Sequence, residues 1–72
     1  MGYRDPKRIE VFITKLKEHW LCVPDWRFGQ LMINFFGYVA NRTKQDIFFI
    51  EEEEMTTLLD EYFESLFKSQ DT

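Results

Sequence analysis

Residues 24–41 read PDWRFGQLMINFFGYVAN, and this stretch decides the fold. Placed at about 100° per residue, it forms a helix with a broad apolar arc of Phe28, Leu31, Met32, Phe35, Phe36 and Val39. Mostly small residues extend the arc and would let another backbone approach closely: Trp26, Gly29, Ile33, Gly37 and Ala40. A helix that is apolar over most of its circumference is largely buried. We therefore predict a central helix over residues 26–40, capped by Asp25.

An amphipathic helix precedes this central helix. Asp5 followed by Pro6 is typical of a helix start, because proline lacks only an N–H that would have no partner there. The apolar side chains then fall on one stripe, formed by Ile9, Phe12, Ile13, Leu16 and Trp20. Pro24 disfavours helical backbone at the residue before it. The pattern predicts a first helix over residues 6–20.

A third helix follows a polar loop over residues 41–46 and a short apolar run over residues 47–50. Carboxylates at Glu51–Glu54 complement the positive end of a helix dipole, and Ile50 and Met55 have the spacing of a hydrophobic staple around Glu51. The pattern predicts a helix over residues 52–68, with a wide stripe of Met55, Leu58, Leu59, Tyr62, Phe63, Leu66 and Phe67.

The run over residues 47–50 has no second strand with which to pair, so we predict that it is a short extended core segment. The predicted fold is all-α: a small three-helix domain, with this extended segment before the last helix. Residues 1–72 form a single domain.

The composition favours a folded, cytoplasmic protein. The 72 residues are 44% hydrophobic and 31% charged, and 13 of them are aromatic, which excludes a disordered chain. Cys22 is the only cysteine, whereas a secreted domain of this size usually has several disulfides. No signal-like start and no apolar run of about 20 residues is present. We predict a cytoplasmic protein that does not enter a membrane.

Charge is distributed unevenly along the chain. Residues 1–45 carry eight Lys/Arg and four Asp/Glu, a net +4, while residues 46–72 carry one lysine and nine acids, a net −8. The two halves either attract each other within the fold or face different partners. The basic half offers a nucleic-acid-binding hypothesis based on Arg4, Lys7, Arg8 and Lys15. The overall pI of about 4.8 counts against it.

Neither catalysis nor metal binding is indicated. His19 and Cys22 are the only soft metal ligands, and zinc requires three or four. The four glutamates 51–54 point about 100° apart on a helix and do not converge on one ion. We predict no catalytic residue, no cofactor and no metal.

A polar strip on the central helix is the candidate partner-binding site. Arg27, Gln30 and Asn34 lie at i, i+3 and i+7 and line one edge of this apolar helix. Trp26 at its start is a residue type that is common in interface hot spots. Alternatively, the strip braces the fold, with Arg27 paired to an acid such as Asp46. The sequence leaves both interpretations open.

Several segments resemble a known group of proteins: DPKRI at residues 5–9, PDWRFGQL at residues 24–31 with Asn34, and DIFF at residues 46–49 with the glutamates that follow. The chain resembles short uncharacterised proteins of Gram-positive bacteria and of their phages and mobile elements. This resemblance implies a small intracellular protein and assigns no binding or catalytic residue. The phage setting favours an accessory protein that binds a host factor.

Together these features predict a non-enzymatic protein-interaction module whose partner protein is unidentified, in the setting of a phage or mobile-element regulator or inhibitor. A nucleic-acid-binding accessory protein is the alternative. The aromatic content exceeds what one small core hides, so we also predict a homodimer whose contact includes Phe63 or Phe67.

Overall fold

The computed structural model describes residues 5–70, with side chains described as far as Phe67. Three helices make up most of this part: α1 (Lys7–Leu21), α2 (Phe28–Thr43) and α3 (Glu52–Gln70). A 3₁₀ turn (Ile47–Phe49) lies between α2 and α3. Residues 5–70 include no β-strand. The prediction of a small all-α three-helix domain is therefore confirmed.

The start of α1 follows the prediction closely. The Asp5 carboxylate accepts a hydrogen bond from the Lys7 backbone N–H at 2.9 Å, and Pro6 already has helical backbone angles. The C-terminal end of α1 is closed by the N–H groups of Cys22 and Val23, which donate to the carbonyls three residues earlier. Hydrogen bonds of this 3₁₀ type, to the third residue back, satisfy carbonyl groups that the end of an α-helix leaves unpaired.

α2 begins two residues later and ends three residues later than predicted, and Asp25 does not cap it. Trp26 belongs to the preceding turn, because its N–H donates to the Val23 carbonyl. Arg27 has extended backbone, and its N–H donates to Gln30 Oε1 at 2.8 Å. At the other end Lys44 is left-handed (φ 59°), which stops the helix after Thr43.

The segment before α3 is a 3₁₀ turn, so the prediction of an extended segment was wrong. Asp46 causes the difference: its carboxylate accepts from the Phe48 N–H at 3.0 Å, and its carbonyl accepts from the Phe49 N–H. Aspartate commonly stabilises a turn in this way. Ile50 closes the turn by donating its N–H to the Ile47 carbonyl.

α3, not α2, is the central helix. It supplies five of the nine buried core residues, and α2 supplies three; the nine are Leu31, Phe35, Val39, Ile50, Met55, Leu58, Leu59, Tyr62 and Phe63. α1 and α2 each pack on α3, and they meet each other where the Trp20 ring lies 5.8 Å from the Phe28 ring. α1 supplies no fully buried residue.

The two outer helices approach α3 differently. Arg8 pairs with Glu52 and His19 with Asp60, so α1 runs parallel to α3. Tyr38 and Arg42 lie one helical turn apart on α2 and both reach the Glu61 carboxylate, so α2 packs on the middle of α3. One apolar side of α2 remains uncovered: Ile33 is 74% exposed, and no atom from outside the adjoining turns of the helix lies within 4 Å of where a Cβ would stand on Gly29 or Gly37.

Two tyrosines lie where α2 crosses α3. Their ring centroids are 5.3 Å apart, and burial raises the pKa of both the Tyr38 and the Tyr62 hydroxyl. At Tyr38 the Glu61 carboxylate, which accepts the phenolic hydrogen at 3.3 Å, raises the pKa further, while Arg42 lowers it. Both phenols are therefore neutral over the physiological pH range, as an aromatic core requires.

Candidate protein-binding surface

An apolar groove runs along the C-terminal half of α1. It measures about 430 Å³ and is lined by Ile13, Leu16, Lys17, Trp20, Leu21 and Pro24. Ile13 is 52% exposed and Leu21 is 65% exposed, although both are large aliphatic side chains. Lys17 is the one charged residue among those that line it. The groove is a concave apolar surface with a single cationic edge, which is the general form of a protein-binding site.

Trp20 and the loop after α1 shape this groove. The Trp20 indole N–H donates to the Trp26 carbonyl at 2.8 Å, which ties the loop to the last turn of α1. The Trp20 ring also lies 5.8 Å from the ring of Phe28, the first residue of α2, which is itself 56% exposed. The indole is thereby fixed, and it presents one side to the groove.

A second apolar feature lies at the 3₁₀ turn. Phe48 is 83% exposed and Phe49 is 75% exposed, and their rings meet edge to face at 4.9 Å. We call this pair the Phe tip. Ile47 is half-buried and Ile50 is buried, so the flanking residues anchor the turn while both phenylalanines project outward. No contact within residues 5–67 requires the two phenyl rings at this position.

The basic residues of α1 are largely paired with acids of α3. Arg8 Nε lies 2.7 Å from a Glu52 carboxylate oxygen. Lys15 lies 3.6 Å from Asp60, and His19 Nε2 lies 2.7 Å from the same carboxylate. The two oppositely charged halves of the sequence therefore attract each other within the fold. Lys7 is exposed, and Arg4 lies outside the described residues.

The predicted strip on α2 does not act as one unit. Gln30 uses its side-chain oxygen to cap its own helix at Arg27, whose guanidinium forms no ion pair with any side chain of residues 5–67. Asn34 is exposed one turn further on. Trp26, Gln30, Ile33 and Asn34 do line a common shallow hollow. Three of the four candidate residues are thus brought together, while Arg27 does not pair with Asp46 or with any other acid of residues 5–67.

These positions predict two different outcomes for three alanine variants. Gln30→Ala should lower the free energy of unfolding by about 0.5–1 kcal/mol, because the Arg27 N–H at the start of α2 loses its acceptor. Arg27→Ala and Asn34→Ala should each stay within about 0.5 kcal/mol of wild type, as exposed residues usually do. Urea unfolding followed by far-UV circular dichroism measures all three. A loss above 1 kcal/mol in Arg27→Ala would instead indicate a structural ion pair.

The possible metal ligands, the cysteine thiol and the lengths of the helices can be stated for the described residues. Among them, no group of three or more His, Cys, Asp or Glu side chains is arranged to hold a metal ion. Cys22 is exposed, and its thiol donates to the Glu18 carbonyl at 3.6 Å. None of the described helices is both long enough and apolar enough to cross a membrane.

Sequence reasoning missed both the groove and the Phe tip. It assigned Ile13, Leu16 and Trp20 to a core stripe and residues 47–50 to a core segment. The signal for the groove was present in Leu21 and Pro24, which continue apolar surface past the predicted end of the helix. The signal for the Phe tip was Asp46, which predicts a turn rather than a strand at Phe48.

Comparison with known proteins adds no relative. No protein-family model, no curated protein and no solved structure matches this chain. The resemblance to short proteins of Gram-positive bacteria and their phages therefore stays a prediction, and the function must be argued from the surfaces described above.

Proposed function

We propose that this protein is a non-enzymatic protein-binding module and that the groove on α1 is its binding site. One observation carries the proposal: the groove exposes large aliphatic side chains beside a fixed indole, with Lys17 as its one charged lining residue. A small domain loses solubility by exposing such a surface, and contiguous exposed apolar patches usually mark interaction sites. Tryptophan is also among the residues that contribute most to binding energy at interfaces.

The alternative of nucleic-acid binding has less support. It needs basic side chains that are free to neutralise phosphates, but Arg8 and Lys15 are engaged with Glu52 and Asp60. Those acids would also repel a phosphate backbone. Binding at the apolar groove should weaken little as salt rises, whereas phosphate binding should weaken steeply.

The resemblance to phage and mobile-element proteins extends the proposal to the biological role of the protein, as an accessory regulator or inhibitor. A cytoplasmic accessory regulator or inhibitor needs only a stable scaffold and one binding surface. A domain of 72 residues with an apolar groove is sufficient for that role.

A matched pair of variants tests whether the groove binds a protein. Ile13 and Val11 lie on the same helix and are 52% and 54% exposed, but only Ile13 lines the groove. Tagged wild type, Ile13→Asp and Val11→Asp would be incubated with extract of the native host, and the captured proteins identified by mass spectrometry.

We expect a protein that Val11→Asp and wild type capture equally and that Ile13→Asp captures at least tenfold less, because a buried unpaired carboxylate opposes binding. The far-UV circular dichroism spectra of the two variants should match that of wild type, since both positions are exposed. Equal capture by all three proteins would show that the groove is not the binding site.

A further inference from the structure

We propose that the partner in the groove is a second copy of this chain, and that two copies insert their Phe tips into each other's grooves. This inference rests on the proposed function, because it names the occupant of the same groove. It differs from the dimer predicted from the sequence, which placed Phe63 or Phe67 at the contact. Phe63 is 1% exposed and forms no part of the surface, whereas Phe67 is 42% exposed and is not needed for the present arrangement.

The Phe tip is preorganised to enter an apolar groove. Three hydrogen bonds hold its turn, two of them to Asp46 and one between Ile50 and Ile47. The backbone that carries the exposed side chains of Phe48 and Phe49 is therefore held in one conformation before any partner arrives. A rigid aromatic contact loses little conformational entropy on binding, which favours association.

The charges around the tip and the groove are complementary. The one charged side chain that lines the groove is the cationic Lys17. The tip is followed by the acidic start of α3, where Glu53 and Glu54 are exposed and form no ion pair with another described side chain. Seating the tip in the groove brings these carboxylates toward a lysine, an arrangement that steers association and fixes its orientation.

The position of the two features suits a two-fold dimer. Phe48 and Phe49 share a hollow with Arg8, near the start of α1, whereas the groove occupies the other end, from Ile13 to Pro24. A two-fold axis across the middle of α1 would set two copies of this helix antiparallel. Each tip would then lie at the end of α1 that carries the partner's groove.

The buried area explains why both contacts are needed. Two largely exposed phenylalanines bury about 300 Å² and the groove about as much, so one tip in one groove buries roughly 600 Å². A stable interface needs at least about 1,000 Å² in total. Two symmetric contacts reach roughly 1,200 Å², at the low end of stable interfaces. We therefore infer a reciprocal dimer of modest affinity.

Complementation between two variants tests this arrangement. The tip variant, Phe48→Ser with Phe49→Ser, keeps its groove. The groove variant, Ile13→Asp with Leu21→Asp, keeps its tip. Sedimentation equilibrium at concentrations up to millimolar should show a dimer for wild type and for the control Val11→Asp. Each double variant alone should remain monomeric, with a dissociation constant raised by roughly 100-fold or more, as for loss of interface hot spots.

Mixing the two variants should restore one of the two contacts. When the unlabelled groove variant is added to the ¹⁵N-labelled tip variant, amide shifts should appear around Ile13, Lys17 and Leu21. A wild-type protein that stays monomeric at millimolar concentration would overturn the inference, as would a mixture that produces no shifts. The capture experiment with Ile13→Asp and Val11→Asp is independent of this result, so the groove's role in binding another protein is decided separately.

Discussion

Phe63→Ala is expected to lower the free energy of unfolding by about 3–5 kcal/mol, the usual cost of deleting a buried phenyl ring. Phe63 is 1% exposed and lies where α1, α3 and the loop before α2 meet. Its ring stacks on His19 at 4.6 Å and lies 6.2 Å from the ring of Trp26. A domain of this length has a total stability of only about 4–11 kcal/mol. The variant should therefore be largely unfolded at modest urea concentrations.

Phe67→Ala is the matched control for this prediction. Phe67 lies one turn further along α3, 6.4 Å from the ring of Phe63, and it is 42% exposed. Its removal should cost less than about 1.5 kcal/mol, because less apolar area leaves water. Urea unfolding at constant m-value compares the two variants. Equal losses would mean that Phe63 does not hold the two outer helices on α3.

The helices themselves could be predicted because local patterns fix them. Asp5 and Pro6 specify the start of α1 whatever the rest of the chain does, and the acidic run at Glu51–Glu54 does the same for α3. The apolar stripe of α3 correctly identified the side that packs inward from Met55 to Phe63, whereas the stripe of α1 did so only in part, because Ile9 and Ile13 are about half exposed. These signals act over a few residues, so one sequence is enough to detect them.

The choice of central helix could not be made from periodicity alone. α2 is apolar around most of its circumference, but part of that surface is Gly29, Gly37 and Ala40, which bury little area. α3 has a narrower apolar arc of large side chains, from Met55 to Phe63, that is wide enough to contact two helices. Burial stabilises in proportion to apolar area. Comparing the apolar area that each helix can bury, rather than the number of its apolar positions, would have identified α3 as the central helix.

The candidate binding site is formed by the way the helices pack against one another, and the sequence pattern of a single helix does not contain that information. The sequence pattern of Ile13, Leu16 and Trp20 would be the same whether one helix or two helices packed over these residues. It becomes a groove because α2 packs mainly on α3, so that Ile13 and Leu21 of α1 stay more than half exposed. The role of Gln30 has a local reason: an amide three residues after an extended residue is well placed to cap the helix, so Gln30 contacts the Arg27 N–H.

Trp20 contributes both to the packing of the fold and to the lining of the groove. Its replacement should cause the second largest loss of stability. Trp20→Ala removes a half-buried indole together with its 2.8 Å hydrogen bond to the Trp26 carbonyl. We expect a loss of about 3–4 kcal/mol, toward the lower end for tryptophan because part of the ring already faces solvent.

Trp20→Phe separates the two contributions of this side chain. It keeps most of the ring and removes only the N–H donor, so the expected loss is about 1–2 kcal/mol. Urea unfolding followed through the remaining Trp26 fluorescence measures both variants. In Trp20→Phe the emission of Trp26 should also shift to longer wavelength, because its carbonyl no longer anchors the loop to α1. If both variants lost the same stability, the hydrogen bond would account for the whole effect of Trp20. If Trp20→Phe matched wild type in stability and emission, the indole N–H would not hold the loop that borders the groove.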